Sequence, residues 1–179
     1  CTCPVCTSHA PHDRRLRVSA LVETSDSRIL IDCGPDFREQ MLHVAFDRLD
    51  GVLLTHEHYD HTGGIDDLRP FCRFGDIEVF ADDLTCRHLR ERLPYFFREV
   101  LYPGVPRLHF HTIEAGHPFM VKSQEIKPLQ VIHGKLPILG FRIGKLGFIT
   151  DMLTAPASTL QELEGVDTLV INGLRHHAH

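Results

Sequence analysis

The sequence predicts one layered domain of mixed α and β structure, an α+β or α/β arrangement spanning residues 1–179. Three observations carry this prediction. Short apolar runs with period-two alternation recur along the whole chain, stretches with helical spacing interrupt them, and no linker or internal repeat divides them. The 179 residues are 42% hydrophobic, enough for a single core of ordinary size.

Residues 16–23 and 28–32 alternate as two strands around a polar turn at 24–27. Asp36, with Glu39 three residues on, resembles a capping box, and Phe37, Met41, Leu42, Ala45 and Phe46 then recur at helical spacing. Gly51-Val52-Leu53-Leu54 reads as a buried strand, followed by a polar loop and a helical or irregular stretch over 66–74. Residues 77–80 form a strand. Asp82 or Asp83 opens a helix that reaches about Leu93, where Pro94 interrupts it. Beyond Pro103-Gly104-Val105-Pro106 the alternation predicts strands at 108–113, 119–122, 126–132, 140–143 and 146–149. A helix over 156–164 and a strand over 168–171 complete the reading.

Composition narrows the function classes. The net charge is -5 and the 19 basic residues are dispersed, so no basic stripe points to nucleic acid. No apolar run approaches the length that spans a bilayer, and no signal-peptide pattern opens the chain. Cys33, Cys72 and Cys86 are scattered through predicted elements as ordinary buried thiols, which fits a reducing, cytoplasmic setting. A homodimer is left open.

The most informative stretch is Thr55-His56-Glu57-His58-Tyr59-Asp60-His61-Thr62-Gly63-Gly64. Four metal-competent side chains, His56, His58, Asp60 and His61, fall within six residues directly after a buried strand. In a turn, His56 and His58 can face one point while Asp60 and His61 face a second. That is the arrangement of a two-metal site, where a shared water is acidified and an oxyanion is clamped. A solvated loop rich in histidine is the alternative, and the density of donors weighs against it.

Other positions are weaker on spacing alone. His133 ends the apolar run Leu129-Gln130-Val131-Ile132 and precedes Gly134, while Asp151 ends Gly147-Phe148-Ile149-Thr150. Either could be structural or a turn former. Cys1, Cys3 and Cys6, with Pro4 between them, suit a closed tetrahedral zinc site or are free thiols. Arg175, His176, His177 and His179 are chemistry-bearing residues or a loose polar tail. Among Arg14, Arg38, Arg69 and Lys135, all surface charges by default, Lys135 ranks first as a phosphate contact because it lies two residues from His133.

The segment from Thr55 to Gly64 resembles the HxHxDH signature of the metallo-β-lactamase superfamily. Cys1-Thr2-Cys3-Pro4-Val5-Cys6, Ile31-Asp32-Cys33-Gly34-Pro35-Asp36, His133-Gly134-Lys135-Leu136 with Gly140-Phe141-Arg142, and Phe148-Ile149-Thr150-Asp151 are similar to its phosphoribosyl cyclic phosphate phosphodiesterase branch. The resemblance implies a four-layer αβ/βα sandwich. It also implies two divalent ions, zinc, manganese or iron, with His133 joining His56 and His58 on one ion. Asp60 and His61 would hold the other, with Asp151 bridging. Asp60 or Asp151 would take the proton of the attacking water, Arg175 or His176 would serve the leaving group, and Cys1, Cys3 and Cys6 would hold a structural zinc. The implied substrate is a small phosphodiester such as a cyclic ribose or nucleotide phosphate. Thioester or lactone hydrolysis, tRNA 3′ processing and a non-catalytic metal scaffold are the rivals. Members of this family carry a further strand before the cysteines and another, with a metal-binding histidine, after the position where this sequence stops. The resemblance therefore implies a chain incomplete at both ends, with the second ion short of one side chain.

Overall fold

The computed structural model describes residues 2–100 and 102–173. The first sheet runs in chain order, β1 (Ala20–Glu23), β2 (Arg28–Ile31), β3 (Gly51–Leu53), β4 (Ile77–Ala81) and β5 (Leu108–Thr112). Its β1 and β2 are antiparallel and the remaining neighbours are parallel. The second sheet contains β6 (Phe119–Val121), β7 (Gln124–His133), β8 (Leu136–Ile143), β9 (Leu146–Ile149) and β10 (Thr168–Ile171), also in chain order. It is antiparallel except for the parallel β9–β10 pair. The helices are α1 (Phe37–Met41), α2 (Tyr59–Thr62), α3 (Asp83–Arg92) and α4 (Ala157–Glu162), with a long 3-10 segment at Ile65–Arg73.

Alternation along the strands builds the layers. Ile29, Ile31, Leu53 and Phe80 point inward and pack with Val121, Ile126, Leu139, Phe141 and Phe148 between the two sheets. Leu30, Val52, Leu54, Val79 and Ala81 point the other way, onto Phe37, Leu68, Phe71 and Leu89 from the helical segments outside the first sheet. A smaller cluster of Val131, Ile138 and Ile149 takes Leu163, just past α4, on the outer side of the second sheet. The result is the four-layer αβ/βα sandwich that the resemblance implied. No helix among the described residues is long and apolar enough to cross a membrane.

Three departures from the sequence reading have physical causes. The first strand begins only at Ala20, because Leu16 and Val18 find no apolar partner and stay exposed. This arm is instead held by the Asp36 carboxylate, which accepts from the Arg17 N–H and guanidinium and so caps no helix. The helix predicted through Phe46 stops at Met41, and the Phe46 ring packs edge-on against Phe71 and Phe74. Finally, β7 and β8 are longer than predicted and meet in a two-residue turn, Gly134-Lys135, whose first residue has φ 64°, a conformation that favours glycine.

Gly34 and Gly64 lock the end of β2 against the histidine-rich loop. A Cβ on Gly34 would lie 2.1 Å from the Asp60 carbonyl oxygen, and one on Gly64 would lie 2.1 Å from the carbonyl oxygen of Gly34. Both obstacles are backbone, which cannot swing aside as a side-chain tip does. Gly34→Ala is therefore expected to destabilise the fold by roughly 1–3 kcal/mol, the usual range for overpacking, and to weaken metal binding through the shifted Asp60 backbone. Urea unfolding and metal titration of the variant check both effects; a variant as stable as the parent refutes the close approach.

Candidate metal centre

The site forms where strand ends from both sheets meet. β2 delivers Asp32, β3 runs into the loop from Thr55 to Thr62, β7 ends on His133, and β9 is followed by Asp151. Asp32 and Asp151 have positive φ, 59° and 53°, unusual for residues other than glycine. Each turns sharply out of its strand at the site.

Asp32, with no exposed surface, is the anchor. Its carboxylate accepts from Thr55 N–H at 2.8 Å, from the Thr55 hydroxyl at 2.9 and 3.0 Å, and faces His61 Nδ1 at 2.8 Å. Burial pushes its acidity toward the protonated form, while the His61 and Thr55 bonds pull it back. Three convergent donors suit an ionised carboxylate.

This anchor fixes the histidine next to it. The Thr55 hydroxyl has one proton, committed to Asp32, so it accepts from His56 Nδ1 at 3.0 Å. His56 thus carries its proton on Nδ1 and presents a lone pair on Nε2. That Nε2 is buried without a hydrogen-bond partner among the described residues. Burial first, then the neighbouring His61 and His58 charges, lower the His56 pKa to about 3, so the ring is neutral. A buried imidazole lone pair without a proton donor is what a cation would need.

Around His56, among the described residues, the donors form two triads. One atom each from His56, His58 and His133 lie within 4.8 Å of one another, and so do atoms of His56, His61 and Asp151. Ring centroids of His56 lie 4.5 Å from His58, 4.2 Å from His61 and 5.6 Å from His133. His61 Nε2 is 3.1 Å from Asp151 Oδ2, and His56 Nε2 is 3.7 Å from the same oxygen. The donor set of imidazoles plus carboxylate fits zinc, manganese or iron without choosing among them.

The predicted site residues fall at different places. The sequence put Asp60 beside His61 on the second ion, with Asp151 bridging; the second triad joins His61 to Asp151 and His56, and Asp60 lies next to it. The Asp60 side chain, 55% exposed, sits at the rim with Oδ2 3.5 Å from His61 Nε2. Lys135 is exposed in the β7–β8 turn and makes no ion pair among the described residues. Cys1, Arg175 and His176 lie outside the described residues. Cys3 and Cys6 are exposed, form no disulfide among the described residues, and lie on a turn in which Cys6 N–H donates to Cys3 Sγ at 3.4 Å. That backbone bond lowers the Cys3 pKa, and the bond to Cys3 raises that of Cys6. Sequence reasoning missed the role of Asp32. Its signal was an aspartate between an apolar strand and a glycine, close to the pattern that drew attention to Asp151.

The beta-lactamase superfamily domain matches residues 27–179. This chain belongs to the metallo-β-lactamase superfamily. Among solved structures of that superfamily it is similar to a diphosphatase from the PhnP family, with 35% identity and a TM-score of 0.89, over 100% of this chain and 68% of that one. A relative from Porphyromonas gingivalis named octanoyltransferase is 46% identical over 98% of this chain. The chain spans only 36% of that protein's length. A ribonuclease Z from Parabacteroides distasonis is 23% identical over 94% of this chain and 59% of its own.

His61 makes metal binding pH-dependent. Burial disfavours its charged form, but hydrogen bonds to Asp151 and Asp32 and their charges outweigh this and raise its pKa from 6.5 to about 10. The same bond is the main cause that lowers Asp151 to about 2. In the metal-free protein this pair adds stability that is complete below pH 6.5 as far as His61 is concerned, and is lost as the pH rises through about 10. A ligating imidazole must be neutral, so binding at His61 expels a proton near pH 7. Affinity is expected to rise by up to about tenfold per pH unit below that pKa. Calorimetry in buffers of different ionisation enthalpy should show the released proton, and its absence in His61→Gln assigns it.

Proposed function

We propose that this domain is a metal-dependent hydrolase of a small phosphodiester, of the cyclic ribose or nucleotide phosphate class. The observation that carries the reading is the pair of donor triads sharing His56. The PhnP-family diphosphatase supports the phosphorus chemistry. Divalent ions, when bound, supply an acidified water and neutralise charge on a phosphoryl oxygen. The chain's own residues hold and orient. Thr55 fixes the His56 tautomer, and Asp32 holds His61 by Nδ1 so that Nε2 faces the site. Asp60 at the rim and Asp151, held ionised by His61, are the carboxylates placed to take a proton from an attacking water. Lys135, two residues from His133, offers a cation to the phosphate. Arg175 or His176 is proposed for the leaving group on sequence alone.

One observation favours a second reading. The 46% identical relative is named octanoyltransferase, and the same donors would serve attack on a thioester or lactone carbonyl. Turnover of bis(p-nitrophenyl) phosphate, a cyclic ribose phosphate, an octanoyl thioester and a lactone separates the two. Phosphodiester hydrolysis is expected, abolished by chelation and restored by a divalent transition metal. His58→Ala should lower kcat/KM roughly a hundredfold or more with little change in the melting temperature of the metal-free protein, since His58 is exposed on its loop. A clear preference for the thioester or lactone overturns the substrate assignment, and full activity without metal overturns the mechanism.

We also propose a structural zinc at the N-terminal cysteines. The Cys6 N–H to Cys3 Sγ bond supports this, because a backbone donor stabilises a thiolate. Cys3→Ser should remove one zinc per chain and lower the melting temperature while the ions at His56 and His61 stay. Unchanged zinc content would mean free thiols.

A further inference from the structure

α3 grips the metal loop at two points one helical turn apart. His88 Nδ1 lies 3.8 Å from Glu57 Oε1, and Arg92 Nη2 donates to Thr62 Oγ1 at 2.7 Å and to Thr62 O at 3.3 Å. Glu57 and Thr62 bracket His58, Asp60 and His61, so the helix meets both ends of the turn that carries them. The second contact does not stop at Thr62. The Thr62 hydroxyl, in a residue 1% exposed, points its proton at the carbonyls of Glu57 at 3.1 Å and His58 at 2.9 Å while accepting from Arg92. Arg92 itself is exposed, and its guanidinium carbon lies 5.9 Å from the Tyr59 ring centroid, against the outer side of the same turn. An exposed arginine paired only with a surface carboxylate would matter little. A charged donor on a buried hydroxyl is a stronger bond and polarises the bonds that hydroxyl makes in turn.

We propose that Arg92 is a positioning residue for the metal loop: acting through the Thr62 hydroxyl, it holds the His58–His61 turn in its metal-binding conformation. The inference rests on reading this site as a metal centre, and it is independent of which substrate the centre serves. Arg92 touches no donor of either triad. Its effect reaches them through the carbonyl of His58 and the single turn of α2. Outer hydrogen-bond partners of this kind are worth roughly 10–100-fold in metal affinity.

The test compares Arg92→Ala, Arg92→Lys, Thr62→Val, Thr62→Ser and the Arg92→Ala/Thr62→Val double variant. Each is stripped of metal and titrated with cobalt(II), followed by calorimetry and by the visible absorption of the bound ion. Arg92→Ala and Thr62→Val should each weaken cobalt binding by roughly 10–100-fold and alter the absorption band. Thr62→Ser, which keeps the hydroxyl, should return both to the parent values, and Arg92→Lys should recover part of the loss because it keeps charge without the planar fork. The double variant should be no worse than the poorer single, since both break one chain of contacts. Wherever the phosphodiester is turned over, kcat should fall with KM unchanged. Parent-like cobalt binding in Arg92→Ala overturns the proposal, as does a raised KM with intact metal binding, which would make Arg92 a substrate contact. Additive losses in the double variant also overturn it. Thermal melts guard against misfolding, and Thr62→Ser keeps the proposal refutable if Thr62→Val fails to fold. A parent protein that binds no divalent ion sinks the metal centre itself, a result separate from any of these.

Discussion

Burying a carboxylate costs several kcal/mol unless hydrogen bonds replace its lost water. Asp32 has no exposed surface, and it meets that cost with the Thr55 N–H, the Thr55 hydroxyl and His61 Nδ1. The arrangement at the site follows from this requirement. Satisfying Asp32 uses the single proton of the Thr55 hydroxyl, which leaves His56 to donate from Nδ1 and turn Nε2 toward the other donors. It also holds His61 by one nitrogen and turns the other toward Asp151. A single buried charge therefore sets the tautomer of one histidine and the orientation of another.

The two sheets contribute in a matching way. Asp32 follows β2 and Asp151 follows β9, each leaving its strand through a left-handed residue that costs of the order of 1–2 kcal/mol outside glycine. Strain of this kind persists only where the surroundings over-determine it. For Asp32 the restraint is its three donors; for Asp151 it is the bond to His61 Nε2, joined by the tie between Met152 and Asn172, whose side chain accepts from Met152 N and donates to Met152 O. The sharp exits bring a carboxylate from each sheet to the two nitrogens of the His61 ring.

Much of this was legible in the residues, and the exceptions share a cause. Strands such as β4, β9 and β10 alternate or run apolar between clear breaks, so local pattern sufficed. The loop from His56 to His61 declared itself through donor density. The arm at residues 16–19 alternates like a strand, yet among the described residues no strand pairs with it, and pairing is a property of the whole sheet. The α1 helix ended early because Phe46 found better packing on Phe71 and Phe74 than along its own helix. Asp32 lies 29 residues before His61 and Arg92 lies 30 after Thr62. No spacing rule reaches that far, so both contacts wait on the fold.

His56 and His58 belong to the first sheet's side of the molecule, while His133 and Asp151 come from the second. Any ion shared by these residues is a further cross-link between layers already joined there by apolar packing, the His61–Asp151 hydrogen bond and the bond from Leu139 N–H to the Thr55 carbonyl. Such a clasp adds free energy that grows with the logarithm of free metal over its dissociation constant. The interval between opening events at this edge, and with it the survival of the chain among proteases, would then track metal supply. Withdrawing the ion would then empty the site and shorten the life of the chain together.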